Sequence, residues 1–428
     1  MSSIGGRFRN CVSATAARRV LAGLSVPLLA GATLAGATLA GAAGAAGASA
    51  TPYTVGLIVS ATGPAGPTYQ NIPAAAKARV ALQNAEGGVN GHPIKLVIKD
   101  DQTSPALNQT AAEELIAQGV IEIIQDSPVT FAAAKVMQQA GMPVVGSATD
   151  GYEWGEQPYT NMFSLIQGSL TDPKEPVYTL PSFFKGVSPV ASFGYSISPS
   201  STQSALSFAY AAKKQGLKVG YMDTSVPFGS VNTTTIGLGL KNAHIQGIYM
   251  PLDDNTNFAI VTAAKQEGLK LKVADSATGY GQALLNDASA VQAAQGVYFA
   301  ATGTPVELQT PATKAMVAAL AKYGHLTGVP DYGSYEGWMS ADLAIKALQV
   351  GGKSPTHQSI IKNLRKVTSY NAGGILPAPV NFTQFGKDAK TVCGYYAILK
   401  GDKFVVANSG KPLCTTQIPN SDQNPSAP

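Results

Sequence analysis

From residue 53 onward, short apolar runs alternate with longer, alanine-rich amphipathic ones. Val55, Leu57, Ile58 and Val59 form the first run, which ends in small and breaker residues from Ser60 to Gly66. Residues 74–85 (AAAKARVALQNA) then read as a helix that stops at EGGVNG, where three glycines and Asn90 supply a turn. HPIKLVIKDD reads as a second strand, and SPALNQTAAEELIAQG as a helix opened by Ser104 with Pro105 in its first position. VIEIIQDS, PVTFAAAKVMQQAG and MPVVGSATDG continue as strand, helix and strand. Runs of four to six apolar residues between helices of ten to fifteen predict βαβ units and a parallel sheet covered on both faces.

The rhythm breaks over residues 152–194, where Trp, Pro and aromatic residues predict an irregular insertion. It resumes with helix SSTQSALSFAYAAKKQG, strand LKVGYMD, helix TTTIGLGLKNAH and strand IQGIYMPL. Helix TNFAIVTAAKQEG, strand LKLKVADS, helix GQALLNDASAVQ and strand GVYFAAT follow, then two long helices near 311–324 and 334–350. YYAILKGDKFVVA predicts a hairpin about Gly401-Asp402, and the polar tail 416–428 reads as disordered. In open α/β sheets ligands sit beyond the carboxyl ends of the strands. The loops at those ends, 60–69, 126–131, 146–150, 223–229, 252–256 and 275–280, carry Ser, Thr, Gly, Asp and single aromatics. Such groups hydrogen-bond to, and stack on, a small molecule.

The first fifty residues stand apart. They hold Arg7, Arg9, Arg18 and Arg19, no acidic residue, and an Ala/Gly/Leu stretch closing on Ala48-Ser49-Ala50. This describes a secretory signal cleaved near Ala50, with a membrane anchor as the less fitting alternative because Gly and Ala make the stretch weakly apolar. Arg18-Arg19-Val20-Leu21 faintly resembles a twin-arginine signal. No Cys follows the apolar stretch, so no lipid anchor is expected. Removing the four signal arginines from 30 Lys+Arg leaves 26 against 25 Asp+Glu, so the remainder is nearly neutral and no nucleic-acid partner is indicated. Of three cysteines, Cys11 lies in the signal, and Cys393 and Cys414 form an even pair in an exported chain. That favours one disulfide, with free buried thiols as the alternative.

Catalytic chemistry is nearly absent from the pattern. His92, His244, His325 and His357 fall in a turn, on a helix and in polar linkers, and read as structural or solvent-exposed. No Gly-x-Ser-x-Gly elbow, phosphate-binding Gly-Lys-Thr loop or His-Glu-x-x-His helix occurs. Asp100 and Asp101 end a strand with side chains on opposite faces and read as a solvated strand end rather than an acid–base pair. No catalytic group, cofactor or metal site is expected.

VGLIVSATGPAG, ARVALQNAEGGVNGHPIKLVIKDDQTSP and MPVVGSATD, followed by YSISPSSTQSALSFAYAAKKQGLKVGYM and QGVYFAATGTPVEL, form an ordered series. Over most of residues 52–405 it resembles the type I periplasmic binding proteins, in particular the branched-chain amino-acid (leucine-binding) family of ABC-transporter receptors. The resemblance implies two Rossmann-like α/β lobes joined by three crossovers, with the ligand closed into the cleft between them. The N-lobe would be 52–195 and 303–378, the C-lobe 196–302 and 379–415. It further implies a monomeric receptor, periplasmic or at the cell surface, that hands a small polar or amphipathic molecule to ABC permease and ATPase subunits. A sensor or regulator of the same fold is the alternative, and an extracellular enzyme a more distant one.

By the same resemblance, Tyr69 matches an aromatic residue that covers the ligand, and Asp126 and Ser127 fall where a serine bonds a carboxylate. Ser147, Ala148 and Thr149 match a segment that takes the same carboxylate, and Phe228 stands at a Tyr-Gly pair. Asp253 and Tyr280 lie on second-lobe loops facing the cleft, and Tyr335 near a further aromatic. Two departures count against an α-amino acid. The acidic partner of the ammonium corresponds to about Ala277, leaving Asp253 or Asp254 as its nearest replacement, and a carboxylate at Asp126 would repel a bound carboxylate unless protonated or turned away.

Overall fold

The structure, a computed structural model, describes residues 50–147, 151–166, 177–229, 231–387 and 389–419. The expected signal segment up to residue 49 lies outside them. Strand β1 (Tyr53–Val59) is flanked by β2 (Ile94–Asp100) and β3 (Glu122–Asp126), and β4 (Val144–Gly146) and β5 (Met162–Ser164) complete a parallel sheet of order β2-β1-β3-β4-β5. The apolar run of β1 is continuous because both faces are covered. Leu57 and Val59 pack into the cluster containing α2 (Ile72–Ala85), which follows the single-turn α1 (Gly66–Tyr69). Ile58 packs oppositely, against α3 (Pro105–Ala117) and α4 (Phe131–Gln139).

The chain then crosses to a second sheet. Strands β6 (Val190–Tyr195), β7 (Val219–Val226), β8 (Gly247–Met250), β9 (Val273–Ser276) and β10 (Tyr298–Ala301) run parallel in the order β10-β9-β8-β6-β7. Between them lie α5 (Pro199–Lys214), α6 (Thr233–Asn242), α7 (Asp254–Gln266), α8 (Gln282–Leu285) and α9 (Ala288–Ala293). A second crossing adds α10 (Pro311–Ala319), α11 (Tyr332–Gly351) and α12 (His357–Leu364) to the first lobe, with α11 lying on α2, β3 and β4. A third brings β11 (Thr391–Lys400), antiparallel to β10, to the second sheet, and β12 (Lys403–Val406) and β13 (Leu413–Thr416) pair antiparallel with it. Cys393 and Cys414 sit directly opposite each other on β11 and β13 and are joined by a disulfide.

The structure corrects four expectations. The segment 152–194 contains β5 and most of β6, and the lobe boundary expected at residue 195 falls one strand late, since β6 pairs with β7 and β8. The signal was weak because β5 has only three residues and β6, VASFGY, mixes Ser and Gly with apolar side chains. The tail is ordered past 416: Thr416 ends β13, and the Ile418 amide donates to the Val177 carbonyl at 2.8 Å, whereas 420–428 lie outside the described residues. Asp101 is not solvated. It is fully buried and accepts from the Ser60 hydroxyl, the Thr103 amide (2.9 Å) and Asn108 Nδ2 (2.8 Å). Among the histidines, His92 stacks on Tyr53 (4.7 Å between centroids), and His357 Nε2 lies 3.1 Å from the Val120 carbonyl oxygen. Among the described residues no helix is long and apolar enough to cross a membrane. Nor, among them, is any group of three or more His, Cys, Asp or Glu placed to hold a metal ion.

Candidate functional site

The carboxyl ends of both sheets and the start of α11 enclose a cavity of about 410 Å³. Parallel strands all deliver their following loops to one edge, so the two sheets present their loops to each other across this space. From the first lobe come Tyr69 of α1, Ser147 after β4, and Leu165 and Ile166 after β5. From the second come Tyr195 at the end of β6, four serines at the start of α5, Phe228, and the Leu252–Asp253 and Ala277–Thr278 loops.

The second-lobe wall is organised by Tyr195. Its ring stacks on Phe228 with centroids 4.1 Å apart, and its hydroxyl donates to the Asp253 carboxylate. Asp253 also caps α7, accepting from the Thr256 amide at 3.0 Å and from the Thr256 hydroxyl at 2.8 Å. Its carboxylate therefore already holds three donors from within the chain.

The first-lobe wall is organised by α11. Tyr332, Glu336 and Ser340 recur every four residues and so share one face of the helix. Tyr332 meets Tyr69 edge-on, centroids 5.6 Å apart, and Glu336 borders the cavity while only 5 % exposed. Ser340 donates to Asp126 Oδ1 at 2.9 Å, and the Ser147 amide donates to the same oxygen at 3.1 Å. Asp126 Oδ2, Glu336 Oε2 and Ser147 Oγ are buried without a hydrogen-bond partner. Burial pushes the Asp126 carboxyl up to about 7, against the opposing pull of the Ser147 amide and Ser340 hydroxyl. Burial, and then the charge of Asp126, push Glu336 up to about 8, with the Ser147 hydroxyl offsetting part of the rise. Among the described residues, no Lys, Arg or His borders the cavity.

Of the residues expected at the site, Tyr69, Ser147, Phe228 and Asp253 border the cavity, as does the uncharged Ala277. Asp126 lies one layer beneath, behind Ser147. Ser127 is fully buried, with Oγ accepting from the Val129 amide (3.2 Å) and 3.1 Å from Ser60 Oγ. Ala148 and Thr149 lie outside the described residues. Tyr280 and Tyr335, expected at the cleft, do not border this cavity. Tyr280 donates to Glu307 (2.6 Å) and packs on Phe404, and Tyr335, fully buried, donates to the Thr304 carbonyl (2.9 Å). Tyr335 sits about 100° around α11 from Glu336, on the side that packs against Gly303 and Thr304. Asp254 borders a separate, smaller pocket beside Tyr280. Tyr195, Tyr332, Glu336 and the α5 serines went unrecognised. The polar run SPSSTQS and the four-residue spacing of Tyr332, Glu336 and Ser340 were the available signals.

A family model described as periplasmic binding protein matches residues 52–400. No match was found among curated protein sequences. Among solved structures, the chain is similar to a fatty acid ABC transporter substrate-binding protein from Thermomonospora curvata, with TM-score 0.71, 18 % identity, and 87 % of this chain and 94 % of that one covered. It is similar to an ABC-transporter solute-binding protein from R. palustris in complex with benzoate (TM-score 0.67, 15 % identity, 85 % and 97 % covered). It is also similar to the branched-chain amino acid transporter substrate binding protein LivJ from Streptococcus pneumoniae in complex with isoleucine (TM-score 0.66, 16 % identity, 85 % and 100 % covered). At these identities the likeness establishes the shared fold.

Proposed function

Because the chain belongs to the periplasmic binding protein family, we propose that it is the extracytoplasmic solute receptor of an ABC importer and closes its lobes on a small amphipathic molecule. The observation that carries this reading is the cavity of about 410 Å³ walled by both lobes, with the Tyr69–Tyr332 pair on one side and the Tyr195–Phe228 stack on the other. Its volume falls within the range of small-molecule sites. A ligand touching both walls stabilises the closed arrangement over the open one, which is all that capture and release require. Tyr69, Ser147 and Phe228, with Tyr195, Tyr332 and Glu336, are the contact residues in this reading. The permease and ATPase are its partners, and the signal ending near Ala50 takes it out of the cytoplasm. Fatty acid, benzoate and isoleucine, named for proteins of the same fold, support a small organic ligand without choosing among classes.

The test is a thermal-unfolding screen of the exported protein against amino acids, amides, amines, short and aromatic carboxylic acids and sugars. Ligand at a hundred times its dissociation constant stabilises by about 2.7 kcal/mol, seen as a rise of several degrees. A shift without turnover of the hit supports the receptor. Turnover would move the chain to the enzyme alternative, and no shift with any class would overturn the reading.

A further inference from the structure

Resting on the receptor reading, we propose that Glu336, with Ser147 beside it and Asp126 behind it, selects a ligand carrying a cationic amine. The amine group would lie against the first lobe, with its apolar body between the aromatic walls.

Three observations converge. First, Glu336 Oε2 and Ser147 Oγ belong to residues on the cavity wall, are more than nine-tenths buried and make no well-formed hydrogen bond, the Ser147 hydroxyl being the one neighbouring donor that favours the charge of Glu336. A buried acid left unpaired costs several kcal/mol, and an ammonium brings both the missing charge and three N–H donors. Second, among the described residues no cationic side chain borders the cavity, so a bound carboxylate would face two acids with no described cation to balance it. Third, the rest of the wall suits the remainder of such a molecule: Tyr69, Tyr332, Tyr195 and Phe228 present aromatic faces to an alkyl or aryl body and to a nearby cation.

Among the described residues, the groups around Glu336 leave this charge uncompensated. Tyr332 lies on its own helix, Tyr69 faces it from α1, Asp126 from the end of β3, and Asp253 and Tyr195 from across the cavity. Glu122 is at the opposite end of β3. Helix α2 brings Arg79, but its Nε is paired with Asp342 at 2.8 Å, six residues further along α11. His357 and Lys362 lie on α12, which packs beside the last turns of α11.

The test is calorimetric titration of the exported protein with phenylethylamine and hexylamine, and with phenylpropionate and hexanoate, at pH 6 and pH 8.5. Amines should bind and carboxylates should not. With Asp126 near 7 and Glu336 near 8, protons compete with the amine as pH falls, so amine affinity should drop on the order of ten-fold or more between pH 8.5 and pH 6. Glu336→Gln should cost a similar factor and flatten the pH dependence while leaving the unfolding midpoint no lower than wild type. Asp126→Asn should weaken amines less, because it acts from behind. A carboxylate or neutral compound that outranks the amines, with affinity rising as pH falls, would overturn the amine selection and leave the receptor standing. Failure of every compound in this set and in the broad screen would overturn both.

Discussion

Ser340 donates its hydroxyl to Asp126 Oδ1 at 2.9 Å, joining the middle of α11 to the end of β3 across 214 residues of sequence. The bond favours the ionised carboxyl, opposing the burial that raises it. Asp126 is thereby held in one orientation behind Ser147, whose amide donates to the same oxygen. Ser340→Ala should lower stability by about 1–2 kcal/mol at pH 8.5, a drop of a few degrees, and by less at pH 6, where Asp126 is mostly protonated. Thermal unfolding at the two pH values reads this directly. Equal losses at both would mean that the bond does not depend on the charge of Asp126.

Asp275 on β9 is fully buried in the second sheet, and neither carboxyl oxygen has a partner. Burial holds its proton affinity well above the ordinary carboxylate range. The folded protein therefore binds more protons than the unfolded chain, and stability declines as pH rises from the ordinary value of about 4 toward the folded one. The slope is about 1.4 kcal/mol per pH unit for each such group. Asp275→Asn should raise the unfolding midpoint at pH 8 and make no difference near pH 4. A variant no more stable than wild type at pH 8 would mean that the carboxylate finds a counter-charge in the folded state.

Gly337 allows α11 to lie on α2: a Cβ there would stand 2.4 Å from the Ile72 carbonyl oxygen. The contact is with backbone, so a larger residue must push the helices apart. Gly337→Ala should cost about 1–3 kcal/mol despite the helix-favouring nature of Ala. It should also weaken ligand binding, because Glu336 adjoins it and Tyr332 lies one turn earlier. Gain of stability would show that the helix pair accommodates the methyl.

These residues also show how far the chain could be read unaided. The doubly covered sheets were legible because Val55, Leu57, Ile58 and Val59 form a run that only a two-sided environment accommodates. The Cys393–Cys414 pair followed from export and an even count. Strand β6 was missed because neighbouring strands and α5 bury its Ser192 and Gly194, a context that composition does not carry. Tyr335 was expected at the cleft, whereas Tyr332 and Glu336 of the same helix border the cavity and Tyr335 packs on Thr304 beside it. One position along the helix decides which side chain borders the cavity, and residue type alone does not set it. Asp253 was legible as a cavity residue, but beside its local cap on Thr256 it is committed to Tyr195, at a strand end 58 residues away.

That commitment separates the two acids that border the cavity among the described residues. Asp253 holds the first turn of α7 and the Tyr195 hydroxyl, whereas Glu336 has an oxygen with no partner. If Asp253 served chiefly as the ligand's ionic partner, Asp253→Asn would abolish binding and spare the fold. The expected outcome is the reverse. Asp253→Ala should lose about 1–2 kcal/mol of stability through the lost cap and the freed phenol, with Asp253→Asn retaining most of it, since Asn caps nearly as well. Ligand affinity should change only several-fold in Asp253→Asn. Tyr195→Phe, which keeps the stack on Phe228, should bind more tightly than Tyr195→Ala, which removes it. Unfolding midpoints and titrations on these variants, compared with Glu336→Gln, distinguish an acid that builds the wall from an acid that meets the ligand.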